Sequence, residues 1–378
     1  MIKVEDKSMC CGCAACVQRC PKQCIAMEAD GEGFLYPLVD TGKCINCGLC
    51  EKVCPMLNPG EERVPLHTYA ARCTDEDIRR ESSSGGVFSV LAGEVLADGG
   101  VVFGARFDNE WGVVHDFCTT PEGLAAFRGS KYVQSNVGDN YIKAEVFLKE
   151  GRRVLFSGTP CQIAGLKRFL RREYDNLLAV EVACHGVPSP LVWRRYLEEQ
   201  EHSLCNIAHI AFRDKSAGWK NFSFMLSWSN GGLCERFYDN DYMKAFLSNF
   251  SLRPSCYNCK AKAHSSGADI LLADLWGAPH LIGADDDDKG MSLVAVDKEA
   301  ILPSGKLWLK EIEYSEAVKY NSAIVKSVPL NEKRDEFFVK FAKGESIAGI
   351  VGGLTRVPLA QRVVGFLKRV VKKIIGRK

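Results

Sequence analysis

The chain has 378 residues, 46% of them hydrophobic and 25% charged, with a formal net charge of +2. That length allows two or three compact units with real cores, and so balanced a charge argues against binding to nucleic acid. No run of about 18 apolar residues occurs, so no membrane-spanning helix is expected, and Met1 to Met9 lacks the apolar stretch of a secretion signal. The 18 cysteines then read as reduced thiolates holding metal in a cytoplasm, since disulfide scaffolds are short and secreted.

The first element is "CCGCAACVQRCP", with five cysteines in eleven residues, and a near copy, "CINCGLCEKVCP", starts at Cys44. With Cys11 set aside, each motif reads C-x2-C-x2-C-x3-C-P. This is the spacing of bacterial two-cluster ferredoxins, whose fourth cysteine ligates the other cluster. The expected ligand sets are therefore crossed: Cys10, Cys13, Cys16 and Cys54 for one 4Fe-4S cluster, and Cys44, Cys47, Cys50 and Cys20 for the second. Zinc also uses C-x2-C pairs, but it gives no reason for a repeated fourth cysteine followed by proline. Gly12 and Gly48 are expected at tight backbone turns near the sulfurs. Cys11 and Cys24 are surplus and read as small buried side chains. Between the motifs, "CIAMEADGEGFLYPLVD" predicts strand, turn and strand.

A Pro- and charge-rich segment after Pro55 predicts a linker, with a domain boundary near Glu61. Beyond it come a helix from about Val87 to Leu96, a strand at Val101 to Phe107, a strand at Val154 to Phe156 running through a loop into a helix, and a strand at Leu177 to Val182. Alternating strands and helices predict an α/β core. "FSFMLSWSNGGLCERFY" predicts an antiparallel hairpin added to that core, and Asp285 to Asp288 reads as a solvated loop because adjacent carboxylates repel. The fold class expected is α+β: a ferredoxin-like N-terminal domain over 1–60, a mixed α/β domain over 61–345, and a basic tail over 346–378.

Ligands of α/β sheets bind at strand ends. Three loops qualify, "SSSGGVF" at Ser82, "GSKYVQS" at Gly129 and "SGTPCQIAG" at Ser157. Glycine with hydroxyls before a helix suits a phosphate, though simple helix capping explains the same residues. Four further cysteines stand near such ends: Cys161, Cys184 and the pair Cys256 and Cys259. Four thiolates from three segments are the number a third cubane needs, and an isolated redox thiol or structural cysteines are the alternatives. Cys73, Cys118, Cys205 and Cys234 read as structural. A nucleophilic role for Cys184 with His185 is disfavoured, because adjacent strand residues point apart; no catalytic residue is assigned.

"SSSGGVFSVLA", "GSKYVQS", "VLFSGTPCQIAGLKRFL", "ACHGVPSP", "SCYNC" and "ADILLADLWG" together resemble the beta-subunit family of coenzyme F420 hydrogenases and dehydrogenases, in the form carrying its own two-cluster ferredoxin domain. The likeness spans about Cys10 to Phe341. It implies an FAD-dependent iron–sulfur oxidoreductase whose catalytic domain holds a cluster of its own. The implied flavin contacts in the three loops are Ser84, Gly85, Gly86, Lys131, Tyr132, Gln134, Ser157, Gly158, Thr159 and Pro160. The family also implies an electron-donor or acceptor protein as partner and hydride exchange with F420 or another acceptor. The rival reading is a flavin-free electron-relay subunit, with some similar proteins linked to surface polysaccharide synthesis. The chain departs from the family pattern in lacking an arginine before Asp269 and in carrying Ala273 in place of glycine.

The tail "TRVPLAQRVVGFLKRVVKKIIGRK" has eight Lys or Arg and no acid. As a helix it gathers Leu359, Val363, Phe366, Leu367, Val370, Val371 and Ile374 on one face, which suits either peripheral contact with an anionic membrane or packing against protein.

Overall fold

The computed structural model describes residues 1–200, 207–229, 231–298, 302–303 and 305–356. The N-terminal unit is built on an antiparallel pair, β1 (Ile25–Ala29) and β2 (Leu35–Val39), paired from Ile25 with Val39 to Ala29 with Leu35. Two one-turn helices, Ala15–Gln18 and Leu49–Lys52, carry Cys16 and Cys50. Each helix starts from a left-handed residue, Ala14 (φ 60°) and Gly48 (φ 71°). Two residues earlier in each motif stand Gly12 (φ 73°) and Asn46 (φ 51°), also left-handed. Each cluster-type loop thus turns twice, and Asn is the non-glycine residue that tolerates this conformation most readily.

The remaining strands form two sheets. The larger has eight strands: β3 (His67–Cys73), β4 (Val101–Phe107), β5 (Val113–Cys118), β6 (Val154–Gly158), β7 (Leu177–Val182), β11 (Ile270–Asp274), β12 (Ser292–Val296) and β13 (Leu307–Glu311). Their order is β13-β3-β12-β11-β7-β6-β4-β5. β4, β6, β7 and β11 run parallel, and the flanking strands antiparallel. The smaller sheet orders β10 (Gly231–Arg236), β9 (Ser223–Trp228) and β8 (Ile207–Asp214), all antiparallel. The expected hairpin is β9–β10, and β8 is an additional strand beside it.

The central strands are buried on both faces, as a helix-covered parallel sheet requires. Val101, Phe103, Val154, Phe156 and Ala179 pack on one side and Val102, Leu155, Val180 and Leu272 on the other, following the two-residue alternation of strands. The first side also takes in Cys11, Cys13, Ala15, Val53 and Met56 of the N-terminal unit, against Tyr141, Ile163 and Leu166. The linker expected near Glu61 therefore does not separate two independent bodies. Gly165, in the helix Pro160–Leu170, makes the close approach possible: a Cβ there would meet Cys13 Cβ at 2.9 Å and Sγ at 3.0 Å.

The run Asp285 to Asp288 is solvated as expected except at Asp286, whose side chain is buried, and each carboxylate also faces a cation: Asp285 Lys310, Asp286 Lys220, Asp287 the buried Arg79, and Asp288 again Lys220. Cys234 is exposed, while Cys73 and Cys118 are buried. Cys205 and the tail beyond Arg356 lie outside the described residues. The first part of the expected tail is the helix Ile347–Thr355, which buries Ile347, Ile350, Val351 and Leu354 in the core. Among the described residues no helix is long and apolar enough to cross a membrane.

Candidate electron-transfer site and ligand cavity

The two cysteine motifs fold across one another. Cys20 lines one small cavity with Cys44, Cys47 and Cys50, and Cys24 joins it with its Sγ 3.4 Å from that of Cys20. Cys54 lies between the two groups, near Cys10, Cys13 and Cys16 and also near Cys50. Burial pushes the Cys16 thiol up to about 12 and also raises Cys54, with neighbouring sulfurs adding to both, while at Cys13 the interaction with Cys11 works against burial and the net direction is up. Buried thiols that oppose one another's ionisation suit ligands whose negative charge is met by iron.

Surplus Cys11 is buried in one cluster with Cys13, and Cys161 packs against that cluster. Cys161 is the second residue of the helix Pro160–Leu170, started by a capping box between Thr159 and Gln162. Cys184 follows β7, the neighbour of β6, and Cys256 and Cys259 lie in and just after the turn Pro254–Asn258. Their thiols sense one another: Cys184 is near Cys161 and Cys259, and Cys256 near all three. Burial is the first cause of raised values at Cys184 (about 12) and Cys259 (about 11). The Val187 amide donates to Cys256 Sγ at 3.4 Å. A zinc site needs its sulfurs about 2.3 Å from one point. Among the described residues no three His, Cys, Asp or Glu side chains converge on one ion, in this group or in the two N-terminal motifs.

A cavity of 760 Å³ opens at the carboxyl ends of the parallel strands. Ser84, Gly86, Lys131, Tyr132, Ser157, Gly158 and Thr159 line it, and Cys184 and His185 form part of its wall. Three expected contacts lie elsewhere. Gly85 packs against the ends of β3 and β12, its carbonyl accepting from the Cys73 amide and its amide donating to Ser292 Oγ at 3.0 Å. Pro160 is buried at the helix start. Gln134 faces the N-terminal unit, donating to the Cys11 carbonyl at 3.1 Å and accepting from Arg253.

Several lining residues gave no usable sequence signal. His115 is buried; its Nε2 donates to the Ser157 carbonyl (3.1 Å) and its Nδ1 accepts from Ser135 (2.9 Å). Burial lowers its pKa to about 4, so the ring is neutral near pH 7. Desolvation likewise lowers Lys131 to about 7. Arg213 at the end of β8 pairs with Asp274 at the end of β11, and its guanidinium lies against Phe222 (4.6 Å) and Trp276 (5.0 Å). Asp274 and Trp276 fall within the quoted "ADLWG" stretch, but their partner is 61 residues away. Asp269, without a preceding arginine, takes cations from Lys298 (3.1 Å) and Lys167 (3.7 Å).

Residues 68–139 and 151–321 match the N- and C-terminal models of the coenzyme F420 hydrogenase/dehydrogenase beta subunit, and residues 9–57 match the 4Fe-4S dicluster domain. The chain belongs to this beta-subunit family. Its cavity and the Cys161, Cys184, Cys256 and Cys259 group both fall within the family's part, and the crossed motifs within the dicluster domain. An iron–sulfur electron-transfer role follows from that domain. The beta-subunit chain is 25% identical over 210 residues to an uncharacterized protein of Methanocaldococcus jannaschii, covering 46% of this chain and 56% of that one. It is 25% identical over 205 residues to the coenzyme F420-dependent sulfite reductase of the same organism, covering 52% and 30%. It thus spans little more than half, or less, of these relatives' lengths. A solved structure of the F420-reducing [NiFe] hydrogenase complex from Methanosarcina barkeri aligns with a TM-score of 0.44 at 17% identity, covering 68% of this chain and 90% of that one.

Proposed function

We propose that this chain is an FAD-dependent oxidoreductase that passes electrons from its two 4Fe-4S clusters, by way of a third at Cys161, Cys184, Cys256 and Cys259, to a flavin in the 760 Å³ cavity. The observation that carries the reading is the continuity of the thiols. Cys11 follows ligand Cys10 in the chain and lies in the buried cluster against which Cys161 packs, while Cys184 lies near Cys161 and on the cavity wall. The distal set around Cys47, which is exposed, is the side open to a protein electron donor or acceptor.

Bound FAD would take electrons singly and release them as a hydride. The chain's own residues do the rest: Ser84, Gly86, Ser157 and Thr159 offer small polar groups at the cavity wall, and neutral His115 holds the Ser157 carbonyl and Ser135 in fixed positions. Coenzyme F420 is the proposed hydride partner, on the grounds of the family and of the sulfite reductase to which the chain is similar.

Full-length protein, purified and reconstituted anaerobically, provides the test. The proposal expects about twelve irons and one FAD per chain, falling to about eight irons in Cys256→Ala. Eight irons with flavin in the wild type would remove the third cluster, and clusters without flavin would leave a relay subunit. Truncation before residue 61 is a poorer test, since it would strip Cys11, Cys13, Val53 and Met56 from a shared core.

A further inference from the structure

Arg213 presents an unusual surface to the cavity. Its side chain is 2% exposed and Nη1 is taken by Asp274. Nε and Nη2 are buried and lack a partner within hydrogen-bonding distance, although the Tyr132 hydroxyl interacts with the guanidinium. These two nitrogens share one edge of the planar guanidinium, so their N–H bonds run parallel, the arrangement that takes two oxygens of a phosphate or carboxylate at once. Leaving such donors unmet in the interior is costly. Phe222 and Trp276 against the guanidinium, together with the Asp274 pair, restrict rotation that would turn this edge away.

The surroundings favour a phosphate. Lys215, just past the end of β8, donates to the Ser84 carbonyl, and Trp219 Nε1 donates to that of Ser83 (3.2 Å), which fixes the strand end against the Ser82–Gly86 turn. That turn leads into the eleven-residue helix Val87–Ala97 through Gly86 in the left-handed region, and the start of a helix attracts negative charge. Ser130, whose amide and hydroxyl meet Ser83 Oγ at 2.6 and 2.9 Å, ties in the Gly129–Tyr132 loop, and Tyr132 approaches Arg213. Lys220 stands on the same wall. The acidic groups facing this end are already paired, Asp274 with Arg213 and Asp286 with Lys220.

We infer that the free Nε/Nη2 edge of Arg213 is an oxyanion subsite of the cavity that grips the pyrophosphate of the bound dinucleotide. This rests on the flavin reading of the cavity and adds to it which end of the ligand lies beneath β8. The alternative source of two acceptors is the pyrimidine edge of the flavin ring, and the experiment separates them.

Anaerobic titrations of the full-length protein, freed of flavin, would measure FAD, riboflavin and inorganic pyrophosphate binding, the last by thermal shift. Arg213→Met is expected to weaken FAD on the order of 10- to 100-fold, to abolish the pyrophosphate shift and to leave riboflavin unchanged. Arg213→Lys keeps a cation for Asp274 without the fork and should fall between. Should Arg213→Met not fold, Arg213→Lys carries the test with the same selectivity for phosphate-bearing ligands. Equal loss of riboflavin and FAD would assign Arg213 to the ring edge and overturn the inference, as would unchanged FAD binding. If the wild type binds no flavin, the flavin reading fails by itself. Loss of the pyrophosphate shift in the variants would then still support an oxyanion subsite, and a retained shift would refute it.

Discussion

Replacing Arg253 with methionine should loosen the dicluster unit from the rest of the protein and lower the reduction potential of the cluster nearest to it. Arg253 is fully buried. Its Nε donates to the Cys10 carbonyl (2.7 Å), Nη2 to the Leu35 carbonyl (2.9 Å) and Nη1 to Gln134 Oε1 (3.1 Å). Nη2 also reaches Cys10 Sγ at 3.6 Å, and the guanidinium sits 4.3 Å from the Tyr36 ring centre. Gly12 leaves the necessary room, since a Cβ there would come within 2.8 Å of Arg253 Nη1. Methionine fills comparable space but strands three acceptors, and breaking a buried charged set of this kind costs about 3–5 kcal/mol. The loss falls on docking of residues 10–60, because the acceptors at Cys10 and Leu35 belong to that unit. Hydrogen exchange of backbone amides in that unit should accelerate about 100-fold or more. A positive donor at a ligand sulfur stabilises the reduced, more negative cluster, so a tenfold loss of that preference is a fall of about 60 mV. Arg253→Lys should retain part of both effects. Unchanged exchange together with unchanged potentials in EPR-monitored titration would refute the reasoning.

Cys20→Ser should impair the cluster of Cys44, Cys47 and Cys50, and Cys54→Ser that of Cys10, Cys13 and Cys16; EPR spectra showing damage within each residue's own motif instead would contradict the crossed sets. Gly165→Ala must push Cys13 or Tyr141 aside, at a cost of about 1–3 kcal/mol, and a lowered unfolding temperature with a disturbed Cys13-side cluster is the expected readout. His115 takes a proton near 6.5 when unfolded and only near 4 when folded, so the folded state binds fewer protons between those values. Stability is therefore intact above about pH 6.5 and declines by up to about 3 kcal/mol as pH falls to 4. His115→Asn should lack that part of the slope in parallel acid titrations, and identical slopes would show that His115 does not titrate this way.

The dicluster unit was legible in the sequence because cluster ligation is a matter of local spacing: the C-x2-C-x2-C-x3-C-P runs set which thiols can share a face, and the fold brings Cys20 to the cavity of Cys44, Cys47 and Cys50. The strands from Val101, Val154 and Leu177 were equally legible, each being a short, locally complete apolar run. The antiparallel half of the large sheet was not, since pairings such as β3 with β12 and β13 join segments more than 200 residues apart and leave no periodic trace in either. The same limit hid Arg213, whose meaning depends on Asp274 and Trp276, and the acidic run, whose repulsion is relieved by Arg79, Lys220 and Lys310 from distant segments. It also hid the docking of the two units. A Pro-rich stretch looks like a tether whatever lies across it, and only the folded chain decides that Gly12 makes room for Arg253 and Gly165 for Cys13, because a close approach is a property of two surfaces rather than of one sequence.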